Sequence, residues 1–201
     1  MAIQNVKPLY YLTIGGGYFK DGGLTDVIKV ESLKRVGITA NKTEQTIYAS
    51  GKIYDYVSQN TSQDLAVDSV QLPPDLVRKY LGEQVSTNGG FSFATTEDEP
   101  IEFSFGYATS YQNGLKEFKW FPRCKLITAN ETDETKTDNA IDPQRSYTIK
   151  AMPTDKGLIR VRYNQSEVAE GKTALTEEQF FADVITEVES TVVDSETTTG
   201  V

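Results

Sequence analysis

Asp64 to Gly82 reads DLAVDSVQLPPDLVRKYLG, a stretch that changes character at its centre. In its first half Leu65, Val67 and Val70 are set against Asp64, Asp68 and Gln71. That is close to the period of two by which a strand buries one face. Pro73-Pro74 then ends the strand, because neither proline can donate to a sheet ladder. Asp75 falls in the first turn of a helix predicted over 73–81, where a carboxylate suits the exposed amides and the positive dipole end. Leu76, Val77, Tyr80 and Leu81 give that helix an apolar face, Arg78 and Lys79 lie near its end, and Gly82 supplies a left-handed cap. A strand running straight into a short, half-apolar helix predicts a helix plugged against a β-sheet core.

The flanking sequence is β-rich. A chain of 201 residues suits one domain with a core, and its abundance of Thr, Tyr, Phe and Val favours strands. It has no histidine, which removes the commonest general base and the commonest metal ligand. The single cysteine, Cys124, has no partner for an internal disulfide and is read as an inert core thiol, in keeping with a reducing compartment. No catalytic, cofactor-binding or metal-binding motif is found. The N-terminal MAIQNVKPLYYLTIGGG lacks the pattern of a signal peptide, and no apolar run is long enough to span a bilayer. The expectation is a chain made in the cytoplasm that does not insert into membranes.

The net charge of −9 is unevenly spread. Residues 165–201 hold nine acids and one base, so of the chain's 29 acids and 20 bases, 20 and 19 belong to residues 1–164. The first part is nearly neutral, which excludes a broadly basic nucleic-acid-binding surface.

Residues 8–14 predict a first strand closed by the Gly15-Gly16-Gly17 connector, with residues 18–32 as a loop or arm. Four strand-like segments follow, LKRVGITA, QTIYASG, KIYDYVS and SQDLAVDSVQL. Asn113-Gly114 marks a hairpin across 101–127. Its first strand places Phe103, Phe105, Tyr107 and Tyr111 on one face, and the return strand groups Phe118, Trp120, Pro122, Cys124 and Leu126, with Pro122 suggesting a bulge or an edge. Residues 128–143 read as a solvated polar loop, followed by strands RSYTIKAMP and LIRVRYN. A second helix is predicted over about 175–186, where Thr176 and Gln179 form a capping-box pattern ahead of Phe180, Phe181, Val184 and Ile185. An acidic, Thr-rich tail ends the chain.

Taken in order, four stretches are similar to the major tail protein (tail tube protein) family of siphophages, the bacteriophages with long non-contractile tails. They are VGITANKTEQTIYASGKIYDYV with its Tyr48-Ala49-Ser50-Gly51 segment, the Asp64–Gly82 strand-to-helix junction, the aromatic hairpin EPIEFSFGYATSYQNGLKEFKWFPRCKL, and the closing IDPQRSYTIKAMP. The resemblance spans roughly residues 5–165. Where many relatives carry an immunoglobulin-like domain, residues 166–201 supply a short helix and acidic tail.

The resemblance implies a β-sandwich or half-open barrel of the phage tail-tube type over 1–165, with a C-terminal extension over 166–201. It implies a structural virion protein that forms hexameric rings, stacked into a hollow tube conducting double-stranded DNA without binding it specifically. The implied partners are further copies of the chain and the tail tip or initiator, tape-measure and tail terminator proteins. A channel that passes DNA should be neutral or acidic, and Glu97, Asp98, Glu99 and Glu102 beside the hairpin are candidate lumen-facing acids. Ring-to-ring contacts are expected from residues 15–26 and 128–142, the latter carrying Glu131, Asp133, Glu134, Lys136 and Asp138. Two alternatives stand beside this reading. One is a stand-alone β-sandwich binding module for carbohydrate, with Trp120, Phe121 and the tyrosines as a stacking platform. The other is the related needle-tube component of a contractile secretion system. An enzyme is not expected.

Overall fold

The chain is mainly β with a flanking helix, as the sequence predicts. The structure, a computed structural model, describes residues 11–21, 26–131 and 145–186. Its strands are β1 (Tyr11–Asp21), β2 (Ile28–Val30), β3 (Leu33–Ala49), β4 (Lys52–Ser69), β5 (Gln84–Val85), β6 (Ser92–Phe93), β7 (Phe103–Tyr111), β8 (Lys116–Asn130), β9 (Arg145–Ala151) and β10 (Val161–Asn164). Two α-helices, α1 (Pro74–Leu81) and α2 (Glu177–Phe180), and a 3-10 turn over Gln165–Glu167 complete the described residues. One antiparallel sheet runs β2-β1-β7-β8-β9-β4-β3, with β10 added to β8, while β5 and β6 pair separately. The terminal strands β2 and β3 are consecutive in the chain, and the sheet curls until Gly17 of β1 lies against Leu33 of β3. The result is a half-open barrel.

The stretch that opens the argument behaves as its chemistry dictates, with one shift. Leu65 and Val67 are wholly buried, but β4 ends at Ser69; Val70 is exposed and Leu72 turns inward instead. Pro74 takes the first helical position, where its missing N–H costs nothing. The Pro73 carbonyl accepts from Leu76 and Val77, and Gly82 closes α1 at φ 80° with its own and the Glu83 amide donating to Lys79 and Arg78. Leu76, Val77 and Tyr80 plug the barrel interior beside Phe19, Phe103, Phe105, Phe121, Leu126, Tyr147 and Ile149. The Tyr80 ring stacks on Phe103 at 4.0 Å.

Three local expectations change. The four strand segments after Leu33 merge into the single hairpin β3–β4, register-paired from Leu33↔Ser69 to Ala49↔Lys52. The glycine triplet is no connector: Gly15 to Gly17 lie inside β1 at a register shift against β7, and Tyr18 and Phe19, expected in a loop, are buried strand residues. The return strand β8 does not keep one face. Pro122 sits between the pairs Phe105↔Phe121 and Phe103↔Cys124, where β8 carries an extra residue. The bulge flips the alternation, as an extra residue must. Phe121, Cys124 and Leu126 enter the barrel, whereas Phe118 and Trp120 point to the other side of the sheet.

That other side is covered by the C-terminal segment. The predicted helix forms only as the single turn α2, begun by the Thr176–Gln179 capping box in both directions. Phe180 and Phe181 are buried against Tyr18, Ala108, Phe118 and Trp120, with Phe181 stacked on Tyr18 at 3.7 Å. Gly106 makes room beneath: a Cβ there would lie 2.7 Å from Trp120, 2.8 Å from Phe181 and 2.9 Å from the Lys119 carbonyl. Glu177 fastens the segment by accepting from Tyr18 Oη and pairing with Lys116 at 2.5 Å, and Asp183 pairs with Lys20 at 2.7 Å. Burial pushes the Glu177 carboxyl up, but the Lys116 and Tyr18 hydrogen bonds outweigh it and hold the group below its usual range. Glu177→Gln is therefore expected to loosen the segment by about 2 kcal/mol. Trp120, the sole tryptophan, reports this directly: its emission moves to the red in the variant, and unchanged emission and quenching would show that Glu177 does not hold the segment down.

Candidate assembly surfaces

The most exposed part of the described chain is the far half of the β3–β4 hairpin. Ser50 (φ 53°) and Gly51 (φ 72°) both take left-handed conformations, the combination that a two-residue hairpin turn matched to strand twist requires. Beyond about Lys42↔Asn60 the two strands pair only with each other among the described residues. This arm carries Ile47, Tyr48, Ile53, Tyr54, Tyr56 and Val57 at exposures between 40% and 77%. Cross-strand register sets Tyr48 opposite Ile53 and Thr46 opposite Tyr56 on one face, with Gln45 opposite Val57 and Ile47 opposite Asp55 on the other. The sequence holds the signal, a Ser-Gly turn between Thr46-Ile47-Tyr48 and Ile53-Tyr54, but a strand pattern alone does not show that both faces reach solvent.

The edges form a second surface. β3 ends the sheet with 17 residues, and its outer edge pairs with no strand among the described residues; the opposite end is the three-residue β2. Between them, one sheet face packs into the barrel through the rows Ile38–Leu65–Ile149–Leu126 and Val36–Val67–Tyr147–Ala129. The outward rows are polar or small: Thr39–Asp64–Lys150–Lys125, Gly37–Ala66–Thr148–Thr128 and Arg35–Asp68–Ser146–Asn130. In the last row Asp68 accepts from Arg35 at 2.7 Å and from Ser146 at 2.8 Å. Charges of both signs thus share this face, with Lys150 set directly opposite Lys125.

The proposed lumen acids have unequal surroundings. Glu102 holds Arg123 through two 2.9 Å hydrogen bonds, which keep its carboxyl below its ordinary range. Asp98 accepts from the Thr95 hydroxyl and amide at 2.6 and 2.8 Å and is lowered by them. Glu97 and Glu99 are exposed, and the Glu99 backbone lies against Gly82. Of the loop residues, Glu131 pairs with Arg145 at 3.0 Å, and Asp133, Glu134, Lys136 and Asp138 lie outside the described residues, as do residues 22–25 of the first arm. Residues 15–21 of that arm are strand and mostly buried, so they form no free contact loop.

Other surfaces lose the roles the sequence allowed them. Trp120 and Phe121 are fully buried on opposite sides of β8 and cannot form a sugar-stacking platform. Cys124 is wholly buried, and desolvation pushes its thiol far above the usual range, as an inert core thiol requires. Among the described residues no cluster of three or more His, Cys, Asp or Glu could hold a metal, and no helix is long and apolar enough to cross a membrane.

Beside β10 a groove of about 680 Å³ opens between that strand and the C-terminal segment, lined by Val161, Tyr163, Leu175, Phe180, Val184 and Ile185. Arg162, Gln179 and Asp183 also line it, with Asp183 paired to Lys20 and Arg162 to Glu117 and Glu167. On β8 lies a buried charge. Glu117 accepts from Tyr111 Oη at 2.6 Å and pairs with Lys119 at 2.6 Å and Arg162 at 3.1 Å.

No protein-family model and no curated protein matches the chain. Among solved structures it is similar to a chain in the cryo-electron microscopy structure of the anti-feeding prophage baseplate, 6-fold symmetrised, at 5% identity and a TM-score of 0.45, over 81% of this chain and 97% of that one. At that level of similarity neither fold nor role transfers.

Proposed function

We propose that the chain is a structural protein of a siphophage-type tail: a tube protomer that assembles as stacked hexameric rings around a channel for double-stranded DNA. The observation that carries this reading is the long, proline-free outer edge of β3 at the end of a half-open barrel. A 17-residue strand whose outer edge meets no other strand among the described residues invites association. Edge pairing from copy to copy is heterologous, so it closes into a ring when the rotation fits. The ordered resemblance of residues 5–165 to the tail tube family supports the same arrangement. The near-neutral charge of residues 1–164 suits a wall that passes DNA without gripping it.

In this reading residues 1–165 form the tube body and 166–201 its extension. Glu97, Asp98, Glu99 and Glu102 face the channel, and the loop bearing Glu131, Asp133, Glu134, Lys136 and Asp138 meets the next ring. The role is mechanical, without catalysis, in the virion tail after synthesis in the host cytoplasm. Tail tip, tape-measure and terminator proteins are the other partners. Negative-stain microscopy over a concentration series tests it. Rings or hollow tubes are expected; small monodisperse particles that persist with a tail-tip complex added would overturn it.

A further inference from the structure

We infer that residues 175–186 are an acid-released strap: in mild acid they lift from the sheet as a unit and uncover an aromatic face, while the barrel stays folded. The division of the core permits this. The barrel core, built on residues such as Phe19, Leu65, Phe105 and Phe121, takes no residue from the strap. Phe180 and Phe181 belong instead to a separate cluster on the other side of the sheet, over Tyr18, Ala108, Phe118 and Trp120. Within the strap only these two phenylalanines are buried, and none of its residues pairs as a strand. Val184 and Ile185 stay half-buried because the groove beside β10 runs along them. A segment with so few buried contacts opens at a lower free energy than the strands beneath it.

Carboxylates fasten the strap towards both ends. Glu177 accepts from Tyr18 Oη of β1 and Lys116 Nζ of β8, and lies 3.8 Å from Lys29 of β2. Glu31 shares Lys29 at 3.1 Å, and Glu178 adds a second acid beside Tyr18. Asp183 holds Lys20 of β1 at 2.7 Å, in a hollow that also contains Asp21, Glu102 and Arg123. There Asp21 pairs with Lys79, and Glu102 with Arg123. Arg162 of β10 is taken up by Glu117 and Glu167. Burial pushes the Glu177 carboxyl up, but the Lys116 and Tyr18 hydrogen bonds bring it below its ordinary 4.5; the Lys20 hydrogen bond brings Asp183 below its ordinary 3.8. Their contribution is therefore complete above those ordinary values and fades as pH falls through the lowered ones. The lysines keep their charge throughout, so protonation removes the attraction at both ends and leaves the two rings to hold the strap.

Release needs no second copy of the chain, so the strap and the tube reading stand or fall separately. The sole tryptophan supplies the probe, because Trp120 Nε1 donates to the Phe180 carbonyl at 3.3 Å. Solvent exchange of that indole N–H in the full-length chain, followed by NMR and corrected for the intrinsic effect of pH, measures strap opening. The opening equilibrium is expected to rise about tenfold between pH 7 and pH 3.5, with the circular dichroism of the strands unchanged. With Glu177→Gln and Asp183→Asn together, opening should already be raised at pH 7 and should change less than about threefold over the same range. An indole that opens no more often than the amides of Leu65 and Phe105 would overturn the strap as a separate unit. A rise as steep in the double variant as in the wild type would overturn its release by these carboxylates.

Discussion

Replacing Gly82 with alanine is expected to lower stability by about 3 kcal/mol, although it adds a single methyl group at the end of α1. Two effects combine. The φ of 80° lies in the left-handed region, where a Cβ is unfavourable by about 1–2 kcal/mol. That Cβ would also stand 2.3 Å from the Glu99 carbonyl oxygen and 2.7 Å from its carbon. Both obstacles are backbone, so relief requires moving either the α1 cap or the chain that leads into β7. Moving the cap disturbs Tyr80 and its stack on Phe103; moving Glu99 disturbs Phe103 itself. Gly82→Asn separates the causes, because asparagine tolerates the left-handed region but carries the same Cβ. Denaturant midpoints should show both variants strongly destabilised. A loss in Gly82→Ala below about 0.5 kcal/mol would mean that α1 is not seated as described.

The readability of that junction explains much of what the sequence discloses. Proline, glycine and amphipathic spacing act within a few residues, so strand end, helix and cap are all visible in DLAVDSVQLPPDLVRKYLG. The Asn113-Gly114 turn and the Thr176–Gln179 capping box are local in the same way, and both form. What is hidden depends on partners distant in sequence. Pro122 announces a bulge, but the change of side for Cys124 and Leu126 follows only once Phe121 and Cys124 are registered against Phe105 and Phe103. Gly15 to Gly17 resemble a linker because their lack of side chains is read locally. In the sheet that lack admits Lys29 and Leu33 to within 2.7 and 2.9 Å of where Cβ atoms would be.

The surface has the same division. Carboxylates on an acidic run are easy to pick out, yet Glu102 is bound to Arg123 and Asp98 to Thr95. The arm is harder to see because Ile47, Tyr48, Ile53 and Tyr56 have the composition of a buried strand. Only the three-dimensional structure reveals that Tyr48, Ile53 and Tyr56 continue the interior-facing pattern of β3 and β4 past the point where β9 stops at Ala151, while Ile47 lies on the other face. A core-like strand pattern extended beyond the core is what an interface looks like before its partner arrives.

Glu117→Gln is expected to be the other severe substitution, costing about 3 kcal/mol at pH 7. Burial alone pushes this carboxyl up, but hydrogen bonds from Lys119 and Tyr111, with the Lys119 and Arg162 charges, bring it down to about 2 from an ordinary 4.5. A group lowered in the folded state adds stability that is complete above its unfolded pKa and disappears as pH falls through the folded value. The wild type should therefore lose this contribution between about pH 4.5 and about pH 2, whereas the glutamine variant should lack that part of the slope. Glutamine keeps the shape but turns an amide N–H₂ towards cationic donors, so the groups gathered from β7, β8 and β10 no longer have a common acceptor. Urea midpoints at pH 7 and pH 3 check the expectation: the gap between wild type and variant must narrow at the lower pH. A gap independent of pH would show that Glu117 acts through packing and not through its charge.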